Sequence, residues 1–200
     1  MKKISIYLIA IIFLSGCKTF DPKLLNPSGD AFSPKLPALE QSVENNTVMI
    51  VNAHGDAIGA SPLDINTYFE REVDELMTNP YGAKKGYIVL KVSNIETRVA
   101  GMGFALLGGF TVCIPFFFGV PMRGAKSSVE VEISVLNMKN ELLGKYRGSG
   151  YRRFYGSLYN GKLYTDDVRI AYLTAVKQAI EEAKGKMIPD LGRLNSELNK

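Results

Sequence analysis

Two hundred residues, 46% of them hydrophobic and 22% charged, are enough for one ordinary core with some chain to spare. The 24 basic and 20 acidic residues give a net charge of +4, which falls to +2 if Lys2 and Lys3 are discounted. That balance excludes a nucleic-acid partner recruited by charge alone, and two cysteines, Cys17 and Cys113, exclude a disulfide framework.

The first element is a leader. Lys2 and Lys3 precede the apolar run Ile4 to Leu14, which falls short of the ~20 residues of a transmembrane helix but suits the hydrophobic region of a signal peptide. The run ends in Leu14-Ser15-Gly16-Cys17. Small residues before a cysteine, behind such a leader, resemble the lipobox of bacterial lipoproteins. The resemblance implies a signal peptide over 1–16, a diacylglycerol on the Cys17 thiol and an acyl chain on its freed amine. The protein would then reach the membrane through Cys17, since several acyl chains make a stable anchor. Aspartate after the lipidated cysteine tends to retain enteric-type lipoproteins at the inner membrane; Lys18 therefore implies the outer membrane, with the domain in the periplasm. Cys113, between Val112 and Ile114, reads as a buried, inert thiol.

Residues 17–46 read as a lipidated N-terminus and flexible tether. Pro22, Pro27, Pro34 and Pro37 interrupt it and no sustained period runs through it; such a chain spans roughly 30 Å. A domain is expected over 47–187, opening with a strand at Thr47–Val51 and a polar loop containing His54. Ser61-Pro62-Leu63-Asp64 then starts a helix, with serine as cap, proline at the first position and an acid behind it. Ile65, Phe69, Val73 and Leu76 form its apolar face, and Asn79-Pro80-Tyr81-Gly82 ends it.

A strand is expected over Gly86–Val99, apolar on both faces at Tyr87–Leu90 and so inside the sheet. Ser128–Val135 alternates strictly, Asn137–Asn140 supplies a turn, and Leu142–Tyr151 returns as the partner strand. Thr165, with Asp166 and Asp167 behind it, caps a long helix. Its apolar face is Val168, Ala171, Tyr172, Ala175, Val176, Ala179, Ile180 and Ala183, and Lys184-Gly185 is the expected end. Residues 188–200 form an amphipathic tail. The order predicts an α+β fold, a single antiparallel sheet packed by two helices. It loosely resembles the small periplasmic modules of outer-membrane lipoproteins of unassigned role.

Signatures of chemistry are sparse. His54 is the single histidine, and no G-x-S-x-G accompanies it. No set of metal ligands at working spacing occurs, so neither metal nor cofactor is expected. Gly101-x-Gly103 follows a strand, but Leu106 stands where a dinucleotide fingerprint needs glycine; Gly103 and Gly108 have P-loop spacing, but Gly109 and Phe110 replace the phosphate-binding residues.

Two surfaces remain. Tyr146, Arg147, Tyr151, Arg152, Arg153 and Tyr155 mix aromatic rings with cations in a stretch without acids, a combination suited to envelope glycans or lipid headgroups. The other is the insertion 99–122, uncharged throughout and flanked by Arg98 and Arg123. Pro115 and Gly108-Gly109 argue against a simple membrane helix. It reads as an interrupted β-connection, partly buried, whose tip at Phe116, Phe117 and Phe118 contacts a membrane or a partner. The expected function is a lipid-anchored, non-enzymatic binding or scaffold module of the cell envelope. The alternatives are a homo-oligomeric envelope subunit or an envelope-acting enzyme using His54.

Overall fold

The computed structural model describes residues 21–45, 62–100, 123–156 and 164–200, together with Leu106, Ile114 and Phe118. The fold is α+β. Among the described residues, four strands, β1 (Glu40–Asn45), β2 (Gly86–Ala100), β3 (Arg123–Asn137) and β4 (Leu142–Gly156), lie in the order β1-β2-β3-β4. Helix α1 (Pro62–Glu72) continues into a wider π turn at Val73–Met77, α2 spans Tyr164–Met187 and α3 spans Leu191–Leu198.

The sheet is mixed, whereas the order of elements predicts a wholly antiparallel one. β2, β3 and β4 pair antiparallel, but β1 pairs parallel to β2, from Glu40 opposite Tyr87 to Asn45 opposite Val92. A parallel pair needs a crossover, and α1 lies within it. The expected first strand at 47–51 lies outside the described residues, as does His54; β1 is built from the end of the stretch expected to be a tether.

That stretch is the main correction. Residues 22–45, expected to be flexible, are packed into the domain. Phe32, Leu36, Ala38 and Leu39 are buried. Phe32 donates its amide to Leu76 O at 2.8 Å, Leu36 to Met77 O at 3.0 Å, and Asn79 returns a bond to Leu36 O at 2.8 Å. The prolines do not signal disorder here. They sit where no ladder donor is required, and Phe32, Leu36 and Leu39 each gain on the order of 2 kcal/mol by burial.

One face of the sheet carries the core. Ile88, Leu90 and Val92 of β2, and Val129, Val131, Ile133 and Val135 of β3, meet Ile65, Tyr68 and Phe69 of α1 and Tyr172, Val176, Ala179 and Ile180 of α2. All eight residues expected on the apolar face of α2 are buried. The helix outruns its expected end at Lys184-Gly185 and continues to Met187. Leu191, Leu194 and Leu198 seat the tail, as α3, on the same core.

β2 shifts register between Ser93 and Glu96, so two of its residues oppose Val129 alone. The bulge switches the parity of the strand: Val92 faces the core before it, and Ile95 packs on the core after it. At the β3–β4 turn Asn140 adopts φ 62°, and the Asn137 side chain accepts the amides of Lys139 and Glu141, both at 2.9 Å. This is the chemistry that the Asn-rich turn predicts.

Ala100 is the register partner of Gly124. β2 therefore ends at the same end of the sheet at which its neighbour, β3, begins. Among the described residues, no helix is long and apolar enough to cross a membrane.

Candidate binding surface

Among the described residues, the helices cover one face of the sheet and leave the other as a surface. Alternation sends Lys91 and Ser93 of β2, Lys126, Ser128, Glu130 and Glu132 of β3, and Lys145, Arg147, Ser149, Tyr151, Arg153 and Tyr155 of β4 to that open side. Of the six residues expected to form an envelope-ligand surface, Arg147, Tyr151, Arg153 and Tyr155 share this face. Tyr146 and Arg152 do not. Tyr146 is buried on the helix side, where its hydroxyl donates to Asp190 Oδ2 at 2.8 Å. Burial, reinforced by that carboxylate, pushes its pKa up to about 12. It ties β4 to the start of α3. Arg152 is exposed but has the opposite parity, in register with buried Ser127.

A depression of about 700 Å³ lies on the open face, lined by Lys91, Glu130, Glu132, Lys145, Arg147 and Lys186 among others. Glu132 sits between two cations, 2.9 Å from Lys145 Nζ and 2.8 Å from Arg147 Nε. These bonds, Lys145 first, hold its carboxyl below the usual carboxylate range. Such exposed pairs are each worth only about 0–1 kcal/mol. Their consequence is geometric: they hold the long side chains in a mixed lattice of both signs.

The depression is closed on one side by α2, which guards the free edge of β4. Lys186 Nζ donates to Arg147 O at 2.8 Å, Glu182 accepts the amide and the hydroxyl of Ser149, both at 2.9 Å, and Gln178 accepts the amide of Tyr151 at 3.4 Å. Four residues of helix rise about 6 Å and two residues of strand about 6.6 Å. Positions 178, 182 and 186 can therefore meet 151, 149 and 147 in sequence. The contact works because α2 lies very close to β4: a Cβ on Gly148 would stand 1.9 Å from Ala179 O, and one on Gly150 would stand 1.8 Å from Ala175 O. An unpaired strand edge is a template for aggregation, and here a helix covers it. Glu182, bonded to Lys186 at 2.6 Å and to Ser149, has its pKa lowered to about 2, Lys186 contributing most.

Farther along the open face, the Arg153 guanidinium donates to Tyr151 Oη at 3.0 Å and Tyr155 Oη at 3.2 Å. This Tyr-Arg-Tyr unit stands at the end from which the apolar connection leaves, because Tyr155 is in register with Gly124 and Gly124 with Ala100. Phe118 is 84% exposed, and Leu106 and Ile114 are exposed as well. Cys17, Phe116, Phe117 and Cys113 lie outside the described residues.

A second polar cluster, which sequence reasoning missed, lies inside the molecule. Glu72 and Lys184 are both buried and bonded to each other, Lys184 Nζ donating to Glu72 Oε1. Glu72 also accepts the Ser28 amide at 3.0 Å, and Ser28 Oγ shares a 2.9 Å hydrogen bond with Tyr68 Oη. Burial and the Glu72 carboxylate raise the Tyr68 phenol far above its ordinary pKa. Lys177 lies 4.9 Å over the Tyr68 ring and donates to Leu24 O at 3.2 Å and Asn26 O at 2.9 Å. Burial lowers its pKa. Every charge in this cluster is used to clasp residues 24–28 against α1 and α2. The sequence carries a signal: Glu72 falls seven residues after Ile65, and Lys184 four after Ile180, both on apolar stripes. Beside the cluster, Arg169 makes a two-pronged contact with Asp64 at 2.8 and 2.6 Å, joining α2 to α1.

Among the described residues no group of three or more His, Cys, Asp or Glu side chains is placed to hold a metal ion. Comparison of the chain with protein-family models gives no match, and comparison with curated proteins gives none either.

Proposed function

We propose that this is a lipid-anchored, non-enzymatic binding module of the cell envelope, held at the outer membrane through Cys17 and working in the periplasm through the open face of its sheet. The leader and Leu14-Ser15-Gly16-Cys17 support the location. One observation carries the binding role: the face that the described residues leave open holds a shallow depression whose carboxylates and cations are interleaved and braced by one another. Such a surface matches an extended ligand carrying both signs of charge, and a peptide-bearing envelope glycan has that chemistry.

Two measurements test the reading. Metabolic labelling with palmitate should mark the wild-type chain and spare Cys17→Ala; a labelled Cys17→Ala protein overturns the anchor. Purified murein sacculi should co-sediment the unlipidated chain, and the variant Lys145→Ala, Arg147→Ala, Lys186→Ala should bind at least tenfold more weakly. Equal sedimentation of the two, or none for either, overturns the assignment of the open face to glycan.

A further inference from the structure

Most of the charge in the open-face depression is already engaged. Glu132 is bonded to Lys145 and Arg147, and Glu182 to Lys186 and Ser149. Two lining side chains of opposite sign are left over, Lys91 on β2 and Glu130 on β3. Both are exposed, and among the described residues neither charged end has a hydrogen-bond or ion-pair partner.

The strand register accounts for the remainder. Lys91, Glu132 and Arg147 stand side by side in one cross-strand row, and Ser93, Glu130 and Ser149 in the next. Glu132 has cations on both sides and is bonded to those of β4, so Lys91 gets no carboxylate. Glu130 has a serine on either side. Ser93 Oγ donates to the Glu130 main-chain carbonyl, at 3.5 Å, and Ser149 Oγ is committed to Glu182. Lys91 and Glu130 are therefore diagonal neighbours on one face, their Cβ atoms about 7 Å apart.

The depression also discriminates against ligands of a single sign. An anion placed on Lys91 lies one strand spacing, about 4.8 Å, from the row position of Glu132 and close to Glu130. A cation placed on Glu130 lies among Lys91, Lys145 and Arg147. Like charges brought together in this way repel, so either ligand satisfies one leftover group at the expense of the other. A ligand with both signs close together satisfies the two at once. The ammonium nitrogen and carboxylate oxygens of one α-amino-acid centre lie about 3 Å apart, because both groups are bonded to the same carbon. With a charged hydrogen bond of about 2.8 Å at each end, such a centre bridges about 8–9 Å. Two long, unbraced side chains on diagonal positions can close on that span while the braced pairs around them keep their bonds. The volume of about 700 Å³ falls within the 300–1,000 Å³ usual for ligand sites, which leaves room for the rest of a larger molecule.

We propose that Lys91 and Glu130 are the ligand-contacting pair of this depression, Lys91 taking the carboxylate and Glu130 the ammonium of a free α-amino-acid centre on a peptide. This rests on the open-face reading above and names the group recognised there. An envelope-glycan peptide whose diamino diacid keeps one amine and the neighbouring carboxylate free carries this group.

The probe is L-alanyl-γ-D-glutamyl-meso-diaminopimelate, titrated by calorimetry into the full-length Cys17→Ala chain. Two blocked forms are titrated beside it, one acetylated on the free diaminopimelate amine and one amidated on the carboxyl of the same centre. Each block should weaken binding about fivefold, the factor for one exposed charge pair. Lys91→Gln should bind the parent peptide about fivefold more weakly and no longer distinguish it from the amidated form. Glu130→Gln should do the same with the acetylated form. This crosswise pattern is one that a general disturbance of the surface does not produce. Blocked forms that bind the unsubstituted depression as well as the parent does, a discrimination kept by either variant, or no binding of the parent overturns the assignment. The open-face reading fails in a different assay, the sedimentation of the chain with sacculi. If the double variant Lys91→Gln, Glu130→Gln sediments with sacculi as fully as the chain without these substitutions, the zwitterion contact is overturned and the open face stands.

Discussion

The close approach of α2 to β4 makes a sharp prediction about two glycines. A Cβ added at Gly150 would lie 1.8 Å from Ala175 O and 2.8 Å from Ala175 C. Both are backbone atoms, so no side-chain rotation relieves the clash. Ordinary contact begins at 3.4 Å, so the helix must retreat by about 1.6 Å locally. That retreat stretches the Gln178 and Glu182 bonds to the β4 edge and opens space around Val176 and Ala179. Overpacking of this kind costs about 1–3 kcal/mol and occasionally more, while replacing a strand glycine gives back about 0.5–1 kcal/mol through the unfolded chain. A net loss of roughly 1–2 kcal/mol should follow, or about 2–8 °C in Tm for a chain of this size. Gly185→Ala, in the same helix with nothing within 4 Å of its Cβ, should stabilise the protein by about 0.5–1 kcal/mol. Urea unfolding followed by circular dichroism measures both. If Gly150→Ala is as stable as wild type, the packing argument is wrong; opposite signs for the two variants would support it.

The buried pair gives a second prediction: Lys184→Met should cost about 3–5 kcal/mol by stranding Glu72, while Glu72→Leu with Lys184→Met should recover more than half of it. A double-mutant cycle with no recovery would refute the pairing, and limited proteolysis of the single variant should cut first within residues 22–39. Third, Glu182 has its pKa lowered to about 2. A depressed carboxyl stabilises the fold above its unfolded pKa of about 4.3 and loses that contribution as pH falls toward 2. Urea midpoints should therefore decline from pH 5 to pH 2, and Glu182→Gln should flatten the decline; an identical slope in the variant would count against the β4 clasp. Fourth, the Tyr172 hydroxyl is buried with no hydrogen-bond partner among the described residues. Tyr172→Phe should leave stability unchanged or raise it by about 1 kcal/mol, and a loss above 1 kcal/mol in thermal unfolding would show that the hydroxyl has a role.

The periodic elements are legible in the amino-acid chain alone. The strict alternation of Val129, Val131, Ile133 and Val135 announces a half-buried strand. The run from Val168 to Ala183 announces a long helix buried along one face. Both patterns are local: each residue's partner in the period lies two to four positions away, and burial of one face is enough to select it. The Asn137–Asn140 turn is legible for the same reason.

The sequence by itself also determined the residue types of the candidate surface, since rings and cations alternate through Arg147, Tyr151, Arg153 and Tyr155 whatever the sheet around them. Only the tertiary structure decided which of them act together. Strand parity separates Tyr146 and Arg152 from the rest, and the acids that brace the surface come from β3 and α2, across the sheet and outside that stretch of chain. The same holds for residues 22–45. Their prolines speak for a tether as long as only neighbours in sequence are considered. Their fate is set by Leu76, Met77, Lys177 and Lys184, residues about 40 to 160 positions away, as the bonds from Phe32 to Leu76 and from Lys184 to Ser28 illustrate. Hydrophobic and ionic contacts at that separation leave no period behind in the sequence, and they determine where this domain begins.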